Sequence, residues 1–133
     1  MKETTDSDLL HLTLAQMDII DLNSCYLIWK ICEGRQFVCV PPSVFACFLN
    51  LRSEPGSVKI REREKLRVCY LIYFISENIV AHTISQQWKA KILDLCEIEA
   101  PYYKSHYRDA VAAGTSRDNK DFVENLEGIF EKK

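Results

Sequence analysis

A short run of aromatic, basic and polar residues in the C-terminal half holds the side chains best suited to contact nucleic acid. The run spans residues 102–108, and its spacing places Tyr103 and Tyr107 on one helix face, toward the core. The other side chains then face outward, where they suit contacts with phosphates and base edges. These candidate DNA contacts are Tyr102, Lys104, Ser105, His106 and Arg108.

The elements around this run have the order of a helix-turn-helix motif. Residues 92–96 end one predicted helix, residues 97–100 make a short turn, and residues 101–111 form the next helix. Ile98 is the apolar residue expected to anchor the turn. An ordinary helical hairpin with an aromatic core stripe fits the same pattern, so both interpretations stay open.

A second group of basic residues lies in residues 59–67, which hold five basic and two acidic side chains. Residues 1–21 hold one basic and five acidic side chains, so charge is polarised along the chain. Three of the basic residues are further candidates for phosphate contacts, namely Arg61, Arg63 and Lys65. The alternative is a solvated helix that pairs with the acidic N-terminal helix.

The sequence offers little basis for catalysis. Cys96 and His106 are a nucleophile and a base that a turn could bring together, but a core cysteine and an exposed histidine fit them better. Glu62 and Glu64 lie two positions apart, on different faces of a helix. The glycines, at positions 34, 56, 114 and 128, form no phosphate-binding loop. We therefore expect no enzyme, no catalytic residues and no cofactor.

The cysteines lie among aliphatic and aromatic neighbours, at positions 25, 32, 39, 47, 69 and 96. Their spacings include no Cys-x2-4-Cys pair and the histidines are dispersed, so we expect no metal site. The first residues lack the basic and apolar regions of a signal peptide. We therefore expect reduced cysteines in the core of a cytoplasmic protein.

Length and composition indicate one soluble globular domain. The chain has 133 residues, 47% of them hydrophobic and 27% charged, with a formal net charge of −2. The longest apolar run, residues 68–75, is far shorter than the roughly 20 residues of a membrane-spanning helix, so we expect no membrane partner. The negative net charge counts against DNA binding, which depends on a local positive face.

Helical periodicity predicts an all-α fold, a single compact domain of about six or seven helices across residues 1–133. We expect a frayed tail over residues 1–7 and N-terminal helices over residues 8–57. Residues 58–133 are then a central helix followed by a helix-turn-helix-like part.

In the N-terminal part, residues 8–33 form one helix, or two if Asp21 caps a second one, and Gly34 ends it. Residues 36–40 are an extended connector or a short strand. A short helix follows the proline pair, over residues 43–51.

In the middle of the chain, Ser57 is expected to cap a long helix over residues 58–78. Its apolar half, residues 68–75, would lie at the centre of the core. A buried strand is the alternative for residues 68–75, and the charged run before them favours the helix. Thr83 begins a capping-box pattern for a helix that ends at Cys96.

The last two helices have clear boundary residues. Pro101 is expected in the first turn of one helix, and Gly114 is expected to end it. Asp118 is expected to cap the final helix. That helix has an apolar stripe made of Phe122, Leu126, Ile129 and Phe130.

Several stretches of the C-terminal part resemble RteC-type proteins, which are regulators associated with conjugative transposons of Bacteroidetes. The stretches are residues 66–75 (LRVCYLIYFI), 88–95, 102–108 (YYKSHYR) and 121–126 (DFVENL). The matching part of that family, here residues 66–133, has winged-helix or helix-turn-helix character. The resemblance implies transcription regulation on a mobile element, with DNA contacts at Tyr102, Lys104, His106 and Arg108. Residues 119–121 (NKD) replace a more basic stretch of the family.

These patterns predict a small bacterial regulator that binds double-stranded DNA, or modulates a DNA-binding partner, without catalysis. The alternative is a protein-protein interaction module (an adaptor, immunity or dimerising protein) that binds no nucleic acid. The acidic N-terminal residues, the aromatic content and the negative net charge favour this alternative.

Overall fold

Six α-helices and two short 3₁₀ turns form residues 18–131, the part of the chain that this computed structural model describes. The helices are α1 (Leu22–Cys32), α2 (Pro42–Leu49), α3 (Lys65–Asn78), α4 (Ser85–Cys96), α5 (Ala100–His106) and α6 (Arg117–Glu131). The 3₁₀ turns are His82–Ile84 and Asp109–Val111. These elements share one hydrophobic core, which confirms the predicted all-α domain. The predicted tail (1–7) and the predicted helix over 8–17 lie outside the described residues.

The first described helix begins at Leu22, after Asp21, as the two-helix alternative for residues 8–33 predicts. Asp21 accepts a hydrogen bond from the backbone N–H of Ser24 at 3.0 Å and another from the Ser24 hydroxyl at 2.8 Å. These bonds cap α1 and hold the pKa of Asp21 below its usual value. Gly34 follows the helix with a φ of 74°, a left-handed conformation that glycine adopts without strain.

The connector over residues 36–40 makes two isolated bridges through Phe37, an antiparallel one to Ile60 and a parallel one to Glu33. Val38 donates its backbone N–H to the Lys59 carbonyl at 2.9 Å, and Arg61 donates to the Gln36 carbonyl at 2.9 Å. The ring of Phe37 is buried against the aromatic residues of α2. Residues 36–40 are therefore an extended connector, and no residue from 18 to 131 belongs to a strand longer than an isolated bridge.

The prediction of a long helix over residues 58–78 is wrong for its first third, since α3 begins only at Lys65. The backbone near Ile60 pairs with the connector, so it is not available for helical hydrogen bonds. The Ser57 hydroxyl bonds to the carbonyl of Glu54 at 2.7 Å and caps no helix. Arg63 has a φ of 72°, which also interrupts any helix at this point.

α3 is the central helix, as the apolar run predicts. Val68, Cys69 and Ile75 are fully buried. α4, α5 and the second 3₁₀ turn pack against α3, while α1 packs against α2 and α6, and α2 also contacts α4. The predicted stripe of α6 faces this core, with Leu126 fully buried.

Besides Ser57, two other predicted caps are wrong. Thr83 lies inside the 3₁₀ turn His82–Ile84, and α4 begins at Ser85 with no side-chain cap in the described part of the chain. Asp118 lies inside α6, whose first turn is capped by Ser116, because the Ser116 hydroxyl accepts the Asn119 N–H at 3.2 Å.

All six cysteines are free thiols, but they do not all lie in the core as predicted. Cys25, Cys32 and Cys69 are buried, and Cys96 is half-buried. Two are exposed, Cys39 on the extended connector and Cys47 on the outer face of α2. The prediction rests on apolar neighbours in sequence, which do not show whether another element covers the thiol.

None of the described helices is both long enough and apolar enough to cross a lipid bilayer.

Candidate functional site

α4 ends at Cys96 as predicted, and a three-residue turn, residues 97–99, joins it to α5, which begins at Ala100. The turn begins at Glu97, which has a φ of 60°, the left-handed conformation more often taken by glycine. The backbone N–H of Ile98 donates to the Leu93 carbonyl at 3.0 Å, which satisfies an end carbonyl of α4. The Ile98 side chain is buried, so it anchors the turn as expected.

α5 is shorter than predicted, because it ends at His106 and does not continue to Gly114. His106 Nδ1 lies 2.7 Å from Asp109 Oδ2, and the Asp109 carbonyl accepts the Thr115 hydroxyl at 3.0 Å. These bonds hold residues 109–111 in a 3₁₀ turn. Arg108 is therefore exposed on a turn beyond the helix and not on a recognition helix.

The outward residues of α5 meet the second basic stretch at one contact. The Lys65 ammonium lies 4.5 Å from the centre of the Tyr102 ring, a cation–π arrangement. The Tyr102 ring in turn packs on the His106 ring, with centroids 4.3 Å apart. The first residue of α3 and two predicted DNA contacts of α5 thus lie side by side.

Arg61 and Arg63 lie on the same side of the molecule as Lys65. All three line a cavity of about 460 Å³, whose other lining includes Leu95 and the acidic residues Glu62 and Glu97. The Arg61 guanidinium is exposed, and its Nη1 donates to the backbone carbonyl of Gly34. We call the exposed or half-buried group Lys59, Arg61, Arg63, Lys65, Tyr102 and His106 the basic surface.

Some charges of the same segments do not join the basic surface. The guanidinium of Arg67 is turned inward, 15% exposed, and pairs with Glu64 at 2.7 Å. Gln36 donates to the same carboxylate at 3.2 Å. Lys104 lines a different cavity, beside Tyr103 and Tyr107. Ser105 and Arg108 are exposed and have no contact with the basic surface among the interactions described for residues 18–131.

The pair Cys96 and His106 does not have the features of a catalytic dyad. His106 is engaged with Asp109, and burial raises the pKa of the Cys96 thiol to about 12. A nucleophilic cysteine needs the opposite shift, because the thiolate is the reactive form. Within residues 18–131 no three His, Cys, Asp or Glu side chains come together as a metal site would require.

Sequence reasoning predicts the shared face of Tyr103 and Tyr107, but it misses Tyr73, which packs with them on the other side of α5. Tyr73 of α3 packs on Tyr107, with ring centroids 5.0 Å apart, and Tyr103 stacks on Tyr107 at 5.1 Å. The four-residue spacing of Tyr103 and Tyr107 indicates a shared helix face but not the cavity that they line. Tyr73 lies in the apolar run of α3, where nothing in the sequence distinguishes it from core residues.

Comparison with protein-family models, with curated proteins and with solved structures finds no match for this chain.

Proposed function

We propose that this chain is a non-enzymatic regulator that binds double-stranded DNA through the basic surface. The observation that carries the proposal is the contact between Lys65 and the Tyr102 ring, because it joins two basic stretches that are far apart in sequence. Cations next to an aromatic ring suit a phosphate backbone, since the cations neutralise phosphates while the ring packs against sugar or base. The resemblance to RteC-type proteins adds a role in regulation on a mobile element.

The shortness of α5 limits how such a surface would read sequence. With seven residues, α5 offers at most two turns to a groove, and Lys104 lies toward the tyrosines. Phosphate contacts from Arg61, Arg63 and Lys65 would therefore supply most of the affinity. We expect weak discrimination between DNA sequences and a marked dependence on salt.

The test is a titration of a fluorescent duplex with the full chain at two salt concentrations, using two matched lysine variants. Lys65→Ala removes the cation over Tyr102, and Lys30→Ala removes an exposed cation that lies 5.7 Å from the Tyr26 ring of α1. We expect Lys65→Ala to weaken binding several-fold and to lower the salt slope by about one unit. Lys30→Ala should leave the affinity for the duplex and the salt slope unchanged.

Two results would overturn the proposal. The first is no duplex binding at low salt, or binding that salt does not weaken. The second is an equal effect of Lys30→Ala and Lys65→Ala, which would show a general charge effect and not a defined surface.

A protein-interaction module is the second candidate function, and one observation favours it. Leu22 and Tyr26 lie one helical turn apart on α1 and are 61% and 46% exposed. Large apolar side chains exposed on the same helix face suit a protein partner or a second copy of the chain. A stable dimer in sedimentation that Leu22→Ser dissociates, with no duplex binding, would establish this candidate.

A further inference from the structure

The cavity of about 460 Å³ at the basic surface lies between residues 56–65 and the end of α4. Its volume falls in the range of small-molecule sites, which is about 300–1,000 Å³. Leu95 and Ile60 contribute aliphatic surface. The charged side chains that line it are four cations and two carboxylates, namely Lys59, Arg61, Arg63, Lys65, Glu62 and Glu97.

The opposite charges of this cavity do not pair with one another. In residues 18–131 no ion pair joins one of the four lining cations to a carboxylate. Nearby side chains of opposite charge do pair, as Arg67 does with Glu64 at 2.7 Å. The charged groups at the cavity are therefore available to a molecule that has both an anionic group and N–H donors.

The turn after α4 places the Glu97 carboxylate at the cavity. The carboxylate lies over Gly56, where a Cβ would come within 3.7 Å of Glu97 Oε2. Gly56 itself lines the cavity, and its backbone N–H donates to the Leu95 carbonyl at 3.1 Å. Two acceptor oxygens therefore lie beside the cations of residues 59–65.

Two of the lining residues have an uncommon backbone conformation. Three non-glycine residues of the described chain have a left-handed φ, and two of them line this cavity, Arg63 at 72° and Glu97 at 60°. Such conformations are infrequent in residues with a Cβ, and they concentrate at active sites and ligand-binding sites. The cavity thus has one cation and one carboxylate at positions where the backbone favours glycine.

We propose that this cavity is a binding site for a free guanine nucleotide. Its phosphate would pair with the cations, since guanidinium groups match phosphate oxygens closely. Guanine has two adjacent N–H donors on one edge, N1–H and the 2-amino group, and these match the two oxygens of the Glu97 carboxylate. Its ring would pack on the aliphatic lining. Arg61, Arg63 and Lys65 are shared with the proposed DNA surface, but the site does not depend on DNA binding.

The test is a calorimetric titration of the full chain with GMP, IMP and guanosine, without DNA. IMP differs from GMP only in lacking the 2-amino group, and guanosine differs only in lacking the phosphate. We expect saturable binding of GMP and about tenfold weaker binding of each of the other two, because each lacks a hydrogen bond to a charged partner.

Two alanine variants assign these contacts, each with a matched control. Glu97→Ala should make the affinities for GMP and IMP nearly equal. Glu99→Ala, at an exposed position of the same turn outside the cavity lining, should keep the preference for GMP. Arg63→Ala should weaken GMP binding several-fold and reduce the advantage of GMP over guanosine. Arg108→Ala, at an exposed position beyond α5, should leave GMP binding unchanged.

The proposal is overturned if GMP binding does not saturate, if IMP or guanosine binds the wild-type chain as tightly as GMP, or if Glu97→Ala keeps the preference for GMP. Equal effects of Arg63→Ala and Arg108→Ala on GMP binding would also overturn it, because they would show a general charge effect. Circular dichroism on each variant confirms that the fold is intact before binding is compared. Saturable GMP binding by a chain that binds no duplex would support this proposal and overturn only the proposed function.

Discussion

Asn50 and Tyr103 are both buried polar side chains, but their surroundings differ completely. Asn50 is 1% exposed and uses its whole amide: Oδ1 accepts the backbone N–H groups of Ile19 and Ile20, and Nδ2 donates to the carbonyls of Ile20 and Ala46. Tyr103 is 6% exposed, and its hydroxyl has no such partner in the described chain.

The difference shows that one buried polar group is fully used by the fold and that the other is left unpaired. The bonds of Asn50 join the segment before α1 to the end of α2, and the nearby Trp88 ring donates to the Leu49 carbonyl at 2.8 Å. The amide of Asn50 is therefore fully paired. The tyrosine region is incomplete in its hydrogen bonding, and it lies at a cavity.

The largest expected effect is at Asn50. Asn50→Ala would leave the N–H groups of Ile19 and Ile20 without their acceptor and would open a small void. We expect a loss of about 2–4 kcal/mol in the free energy of unfolding, measured by urea denaturation. Asn23→Ala, at an exposed position of α1, is the control and should change stability by less than about 0.5 kcal/mol. If both variants lower the free energy of unfolding equally, the structural role assigned to Asn50 is wrong.

A smaller effect concerns two buried thiols, one near Asn50 and one near Tyr103. Burial raises the pKa of Cys25, beside Asn50, to about 12, and the pKa of Cys69, one turn before Tyr73, to about 11, from 9.0. Above pH 9 the unfolded chain loses these protons while the folded chain keeps them. Stability is therefore fully present below pH 9 and falls as the pH rises toward 11.

We expect Cys25→Ala and Cys69→Ala each to reduce this pH slope by about 1.4 kcal/mol per pH unit. The measurement is the free energy of unfolding from urea titrations at several pH values between 9 and 11. Cys47→Ala is the matched control, because it makes the same substitution at an exposed position of α2. If none of these substitutions alters the slope, other groups cause the loss of stability at alkaline pH.

The smallest effects come from a matched pair of tyrosines. The Tyr70 hydroxyl donates to Glu127 at 3.0 Å, so Tyr70→Phe should lower the free energy of unfolding by about 1 kcal/mol. Tyr103→Phe removes a hydroxyl that has no partner in residues 18–131, so it should leave stability unchanged or raise it slightly. Thermal unfolding of both variants distinguishes them, and a larger loss for Tyr103→Phe would show that its hydroxyl is already satisfied.

Local patterns were enough to predict the elements that depend on neighbours in sequence. The possible cap at Asp21, the central position of α3, and the turn at Ile98 all follow from patterns of neighbouring residues. The candidate contacts Lys65 and Tyr102 were also selected from composition, although nothing local shows that they touch.

Contacts distant in sequence account for the errors and omissions. The start of α3 is displaced because Ile60 pairs with Phe37, far earlier in the chain. The bonds of Asn50 reach residues 30 and 31 positions away, so its role has no local signal. The spacing of Tyr103 predicts burial, but only the packed structure shows that its hydroxyl is left unpaired.

The left-handed backbone conformation of Arg63 has a consequence for both stability and the proposed DNA binding. Its φ of 72° lies where a residue with a Cβ is strained by about 1 kcal/mol, and a glycine would adopt the same conformation freely. The chain nonetheless has a long cation there, exposed beside the cavity of the basic surface. Under the proposed function, this position is a trade-off in which conformational stability is given up for affinity, so selection for thermostability alone would tend to weaken DNA binding.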